Sequence, residues 1–235
     1  MTLLTTEIHC TAQGEIVVFA ADRRITRDKV ADGTRPKIFR VPHCMVGIGY
    51  FGLAEVGPAE TPIPMSVWLE DLFFRIPPST DPRTVAELLC ERLNVDIPLE
   101  WRRSDPSGFH VAGLDSDGCA EFWFVRNLDD SGALAHSEYK CREDFKSRDK
   151  TALPDNAVQI YRNGDIRAHI AAWEQIDDSF GSLLGQESFR ALVTTDDYLD
   201  WVKFKMELVA RFYDRFAVES IIGDPIDAFA IGRGR

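Results

Sequence analysis

The sequence predicts an α+β fold in which antiparallel sheets pack between layers of helices. Two observations predict it. Two β-prone runs, "LLTTEIH" and "EIVVFAAD", are joined by the turn-rich "CTAQG" and read as a hairpin. Further on, helical patterns cluster between blocks of strands and do not alternate with them, which argues against a doubly wound parallel sheet. The 235 residues carry no internal repeat and read as one domain over 1–235.

The elements follow in order. After the first hairpin, "HCMVGIGYFG" is a third apolar run, rich in glycine, and "PAETPIP" is a proline-studded connection. "MSVWLEDLFFRI" places Val67, Leu69, Leu72, Phe73 and Ile76 on one helical face, and "PPST" stops it. "DPRTVAELLCERLNVDI" opens a helix with aspartate and proline, with apolar residues at Val85, Leu88, Leu89 and Leu93. "GFHVAGLDSDGCAEFWFV" is a hairpin around the turn signal "DSDG". The polar stretch from "SGALAHSEYK" to "TALPDN" carries no clear period. "AVQIYRNGDIRAHIAAWEQI" runs from a strand through Asn163-Gly164 into a helix. "TDDYLDWVKFKMELVARFYDRFA" is the longest amphipathic helix, with Asp196 and Asp197 near its start. Trp201, Phe204, Met206, Leu208, Val209 and Phe212 form its apolar stripe, read as core packing. "GDPIDAFAIG" closes the chain as a strand after a Gly-Asp-Pro turn.

Composition narrows the function. Hydrophobic residues make up 45% and charged residues 28%, as in ordinary folded proteins. A net charge of −11 argues against general nucleic-acid binding, which needs a basic footprint. The N-terminus "MTLLTTEIHC" lacks the basic region and apolar core of a signal peptide, and no apolar run approaches the roughly 20 residues of a membrane span. Cys10, Cys44, Cys90, Cys119 and Cys141 are odd in number and form no CxxC pair, which suits reduced thiols in the cytoplasm. His9, His43, His110, His136 and His169 show no metal-ligand spacing, so neither a zinc site nor another cofactor is expected.

One stretch asks for an explanation. "GEIVVFAADRRIT", residues 14–26, is a buried-looking strand that ends on Asp22, Arg23 and Arg24. Taken alone, Asp22 reads as one half of a structural ion pair with either arginine or with Lys37. Lys37 alone reads as a surface lysine, and Glu219 as a solvated helix-end residue.

Five segments, in order, resemble the proteasome β-subunit-like N-terminal nucleophile (Ntn) hydrolase family, of bacterial proteasome-like type. "GEIVVFAADRRIT" resembles the strand that ends in the family's Ala-Ala-Asp-Lys/Arg-Arg signature. "DGTRPKIFRV" resembles the segment that delivers the active-site lysine. "MVGIGYFGLAEV" resembles the glycine-bearing strand and turn before the first long helix. "FHVAGLDSDGCAEFWFV" resembles the central hairpin, and "IIGDPIDAFAIG" the final strand. The resemblance implies a four-layer αββα sandwich of two antiparallel sheets. It implies a threonine-type peptidase whose nucleophile is the hydroxyl of an N-terminal threonine, activated by its own α-amine.

Residue by residue, the resemblance gives Thr2 as the nucleophile once Met1 is removed, and Asp22 and Lys37 as the aspartate and lysine that tune it. The oxyanion donor falls at Gly49 or Tyr50, where the family prefers glycine. Glu219 falls where the family has an aspartate supporting the amine, and Ile222 where it has a serine. Asn163-Gly164-Asp165 stands in place of a Ser-Gly-rich loop bordering the site. Counting back from Asp22 without a gap reaches Thr5 or Thr6 instead, which would require removal of "MTLL" or "MTLLT". The resemblance further implies a peptide or unfolded-protein substrate and a homo-oligomer, ring-like in this family. No GxxxxGK[ST] motif is present, so any unfolding ATPase would be a separate chain. A non-catalytic structural or regulatory subunit, and an Ntn amidase acting on a small amide, are the alternatives.

Overall fold

A computed structural model describes residues 2–27, 30–58, 60–128, 135–147, 157–164, 173–219 and 221–232. The first hairpin pairs β1 (Leu3–Thr11) with β2 (Gly14–Asp22) in the register Leu4↔Ala21 to Thr11↔Gly14. β12 (Val158–Gly164) adds to the other edge of β1, and β13 (Ile226–Gly232) to the other edge of β2. The result is a four-stranded antiparallel sheet in the order β12-β1-β2-β13. β1 and β2 are thus flanked on both sides, and both faces of β2 are covered by apolar side chains. This is why its sequence reads as a near-continuous apolar run.

A second antiparallel sheet has the order β11-β10-β9-β6-β5. It contains β5 (Ile38–Arg40), β6 (Val46–Phe51), β9 (Gly108–Leu114), β10 (Ala120–Leu128) and β11 (Ala135–Lys146). Two small ladders pair β3 (Arg24–Arg27) with β4 (Val30–Thr34), and β7 (Glu55–Val56) with β8 (Ile63–Pro64).

Five helices complete the described residues: α1 (Met65–Phe73), α2 (Pro82–Asp96), α3 (Leu99–Ser104), α4 (Glu174–Leu184) and α5 (Thr195–Phe216). Their starts follow sequence chemistry. Asp81 caps α2 by accepting from the Thr84 N–H, and Pro82 takes a first-turn position whose N–H needs no partner. Thr194 and Asp197 form a reciprocal capping box at the start of α5.

Strand alternation sorts the side chains. Leu4, Ile8, Val17, Phe19 and Ala21 of the first sheet pack with Ala112, Phe122, Phe124 and Phe145 of the second. From the opposite face of the first sheet, Leu3, Val18 and Ala20 pack with Tyr198, Val202, Met206 and Val209 of α5. Ile48, Tyr50, Val111 and Val125 of the second sheet pack with Trp68, Leu69, Val85, Leu89 and Leu93 of α1 and α2. The chain is therefore α+β, built of antiparallel sheets and helices.

Three expectations need correction. In α5, Phe204, Leu208 and Phe212 do not enter the core; they are 44%, 38% and 61% exposed, while Val202, Met206, Val209 and Ala210 turn inward. In α1, Val67 faces outward and Trp68 is buried. The periodless polar stretch contains β11, an edge strand in which only Tyr139 and Phe145 are buried. Edge strands commonly carry charge on the remaining positions.

Candidate active site

β2 carries its small residues Ala20 and Ala21 up to Asp22, which is fully buried. The β1–β2 ladder reaches its last backbone pair at Leu4↔Ala21. The next N–H along β1, that of Leu3, donates to Asp22 Oδ1 at 2.7 Å. The carboxylate thereby ties down the start of β1, directly after Thr2, which is itself 6% exposed.

Lys37 enters from the segment before β5. Its ammonium donates to the same Asp22 Oδ1 at 2.9 Å and to the Arg24 carbonyl oxygen at 2.6 Å. The lysine is 1% exposed. Burial pushes the Asp22 carboxyl above its ordinary range, against the attraction of Lys37 and the Leu3 hydrogen bond. Burial likewise pulls the Lys37 ammonium down, against the attraction of Asp22. Burial thus works against both charges while their mutual attraction works for them, and such opposed perturbation is a mark of acid–base sites. Asp22 Oδ2 is buried and accepts no hydrogen bond among the described residues.

The arginine cluster has a structural task. Arg24 donates to the Ile222 carbonyl oxygen at 2.8 Å and pairs with Asp214 of α5 at 2.7 Å. Its guanidinium lies so close to Gly223 that a Cβ there would stand 2.1 Å from Nη2. Arg24 therefore links the Lys37 anchor to the 221–223 segment and to α5. Ile222, which the resemblance would set in the place of a serine, is fully buried in the apolar cluster beneath α5.

The remaining expected residues separate from this group. Glu219 is half-buried, its carbonyl oxygen accepts from the Ile221 N–H, and neither Asp22 nor Lys37 bonds to it. The Tyr50 N–H donates to the Lys37 carbonyl oxygen at 2.9 Å, so the ladder occupies the donor expected to serve an oxyanion. The Tyr50 ring points into the α1/α2 cluster. Gly49 lies mid-strand opposite Ile38 and His110, where a Cβ would stand 2.7 Å from Leu4 Cδ1. Met1 and Asp165 lie outside the described residues.

Thr5 and Thr6 are fully buried in the middle of β1, paired with β2 and with β12. The Thr5 hydroxyl has no hydrogen-bond partner among the described residues. The Thr6 hydroxyl bonds His110 Nδ1 at 2.9 Å, and His110 Nε2 bonds Asn163 Oδ1 at 2.5 Å. With Asn163 presenting its carbonyl oxygen, Nε2 carries the proton and Nδ1 accepts from Thr6. Asn163 leads to Gly164, which sits against Thr2: a Cβ on Gly164 would lie 1.5 Å from the Thr2 carbonyl oxygen. Nothing in the local pattern signals this chain of bonds, because His110 sits in an ordinary apolar strand.

Among the described residues no group of three or more His, Cys, Asp and Glu side chains could hold a metal ion. No described helix is long and apolar enough to cross a membrane. No protein-family model and no curated protein sequence matches the chain.

Proposed function

We propose that this chain is a proteasome-like Ntn hydrolase, a four-layer αββα sandwich that cleaves peptide bonds with Thr2 as its nucleophile. The observation that carries the reading is the buried triplet of Leu3 N–H, Asp22 and Lys37, set directly beside Thr2. With Met1 removed, the free Thr2 amine takes the proton from its own hydroxyl. The hydroxyl oxygen attacks the peptide carbonyl, and the amine returns the proton to the leaving nitrogen. Water then hydrolyses the ester. Lys37, held by Asp22 and the Arg24 carbonyl, lowers the proton affinity of the attacking group. Cytoplasmic residence, a homo-oligomer and a separate unfolding ATPase belong to the same reading.

The test uses protein made in its host. Intact mass should show Met1 removed, and a β-lactone or epoxyketone probe should add one equivalent at Thr2. Fluorogenic peptide cleavage should vanish in Thr2→Ala and survive in Thr5→Ala. Retained Met1 together with resistance to the probe would sink the peptidase reading.

Two observations favour a second reading, a non-catalytic subunit that keeps the fold. The Tyr50 N–H is occupied by Lys37, and a buried isoleucine stands at 222. A folded, assembled protein that is inert to both probe classes would support it. Cleavage of small amides without peptide cleavage would instead support an amidase.

A further inference from the structure

The outer face of the first sheet carries a second polar centre, separate from Asp22. Glu7 and His9 of β1 turn toward α4 and α5, and Glu7 is fully buried. Lys205 of α5 donates to Glu7 Oε1 and Oε2 at 2.8 and 3.1 Å, and to Asp177 of α4 at 2.7 Å. Arg162 of β12 bonds the other Asp177 oxygen at 2.5 Å and lies 3.9 Å from Glu7. Arg162 also stacks over the buried Trp173 ring, with its guanidinium carbon 4.4 Å from the centroid. Two cations therefore meet two carboxylates, and their charges cancel.

A cavity of about 490 Å³ opens onto this centre from between the sheet and the helices. Its walls include Leu184, Leu192, Tyr198 and Trp201. His9 leans its ring on Tyr198, at 4.7 Å between centroids, and approaches Glu7 through Nε2 at 3.2 Å. Its Nδ1 makes no hydrogen bond among the described residues.

We propose that this cavity is a binding site for a small uncharged aromatic molecule. Its volume falls within the roughly 300–1,000 Å³ of small-molecule pockets. Its walls offer aromatic and aliphatic surface. Its floor selects against charge: the three ammonium protons of Lys205 already go to Glu7 and Asp177, so an anion finds no free ammonium proton. Both carboxylates are already paired, so a cation finds no uncompensated anion. A charged ligand would lose its hydration without a counter-charge, whereas a neutral ring with one polar group could use His9 Nδ1. Glu7 and His9 lie four to six residues beyond Leu3 on β1, roughly 13–20 Å along the strand. The site therefore does not depend on chemistry at Thr2.

Three probes share one ring and differ in head charge: indole, tryptamine and indole-3-acetate. Titration calorimetry on the full chain at neutral pH, with saturation-transfer NMR, should show indole binding at about 1 mM or tighter. The charged analogues should bind at least about tenfold more weakly. Leu192→Trp or Ala191→Trp, each filling the cavity, should abolish indole binding without a change in far-UV circular dichroism. The second variant covers the case in which the first fails to fold. Absence of indole binding, equal affinity for the charged analogues, or binding that survives in a folded filled variant would overturn the proposal.

Discussion

Lys37 meets Asp22 across 2.9 Å in a setting where neither side chain is more than 1% exposed. Buried ion pairs respond asymmetrically to mutation: removing one partner strands the other, whereas replacing both with apolar residues can be nearly neutral. Asp22→Asn should therefore cost about 3–5 kcal/mol in denaturant unfolding. The pair of substitutions Asp22→Leu with Lys37→Met should cost clearly less than Asp22→Asn alone. Equal losses in the single and double variants would show that the pair is not what stabilises this end of β2.

Gly164 has a positive φ of 123° and leaves no room for a Cβ beside the Thr2 carbonyl oxygen. Gly164→Ala must therefore strain the backbone and push the start of β1 away from β12. A loss of about 1–3 kcal/mol is expected in thermal or denaturant unfolding. The same variant should lose labelling at Thr2 more severely than its stability loss explains, because Thr2 moves relative to Asp22. Unchanged stability and unchanged labelling would contradict the packing.

Arg24 bonds the Ile222 carbonyl oxygen and the Asp214 carboxylate. Arg24→Met keeps much of the length and removes these bonds, leaving the Ile222 carbonyl without this donor. The expected cost is about 1–3 kcal/mol. Hydrogen exchange should quicken at residues 221–223 and at the start of β3. If it quickens only at α5, the clamp on the 221–223 segment is not the dominant contact.

Burial would raise the carboxyl pKa of Glu7, but the His9 imidazole beside it and the Lys205 charge together bring it down to about 2, from 4.5. The unfolded chain then binds the extra proton first. Between pH 4.5 and about 2 stability should fall as pH falls, and this contribution should be complete above 4.5. Glu7→Gln should be less stable at neutral pH and should show a shallower stability-versus-pH slope in that window. A parallel slope in the two proteins would assign the acid sensitivity to other carboxylates.

Much of this architecture can be read from local chemistry. The β1–β2 hairpin, the starts of α2 and α5, and the β9–β10 hairpin all follow from apolar period, turn residues and caps. So does the end of a buried strand at Asp22. β11 was hidden because an edge strand alternates weakly, with one buried residue at Tyr139 and another only at Phe145. The outward turn of Phe204, Leu208 and Phe212 was hidden because a helical period marks a stripe without saying which part of it meets the sheet. At the candidate site, the residues alone leave Asp22 a choice of Arg23, Arg24 or Lys37, and only the resemblance singles out Lys37. The role of Arg24 was hidden, because its partners Ile222 and Asp214 lie 198 and 190 positions away in the chain. The use of the Tyr50 N–H depends on strand register, which composition does not fix.

The imidazole of His110 fastens β9 to Thr6 on β1 and to Asn163 on β12, through bonds that need one tautomer and two complementary partners. Deleting the polar group of any one of the three leaves a donor or acceptor on another strand without this partner. In descendants of this gene, positions 6, 110 and 163 should change as a set or stay as they are. In the laboratory the effects of substituting them should be strongly non-additive.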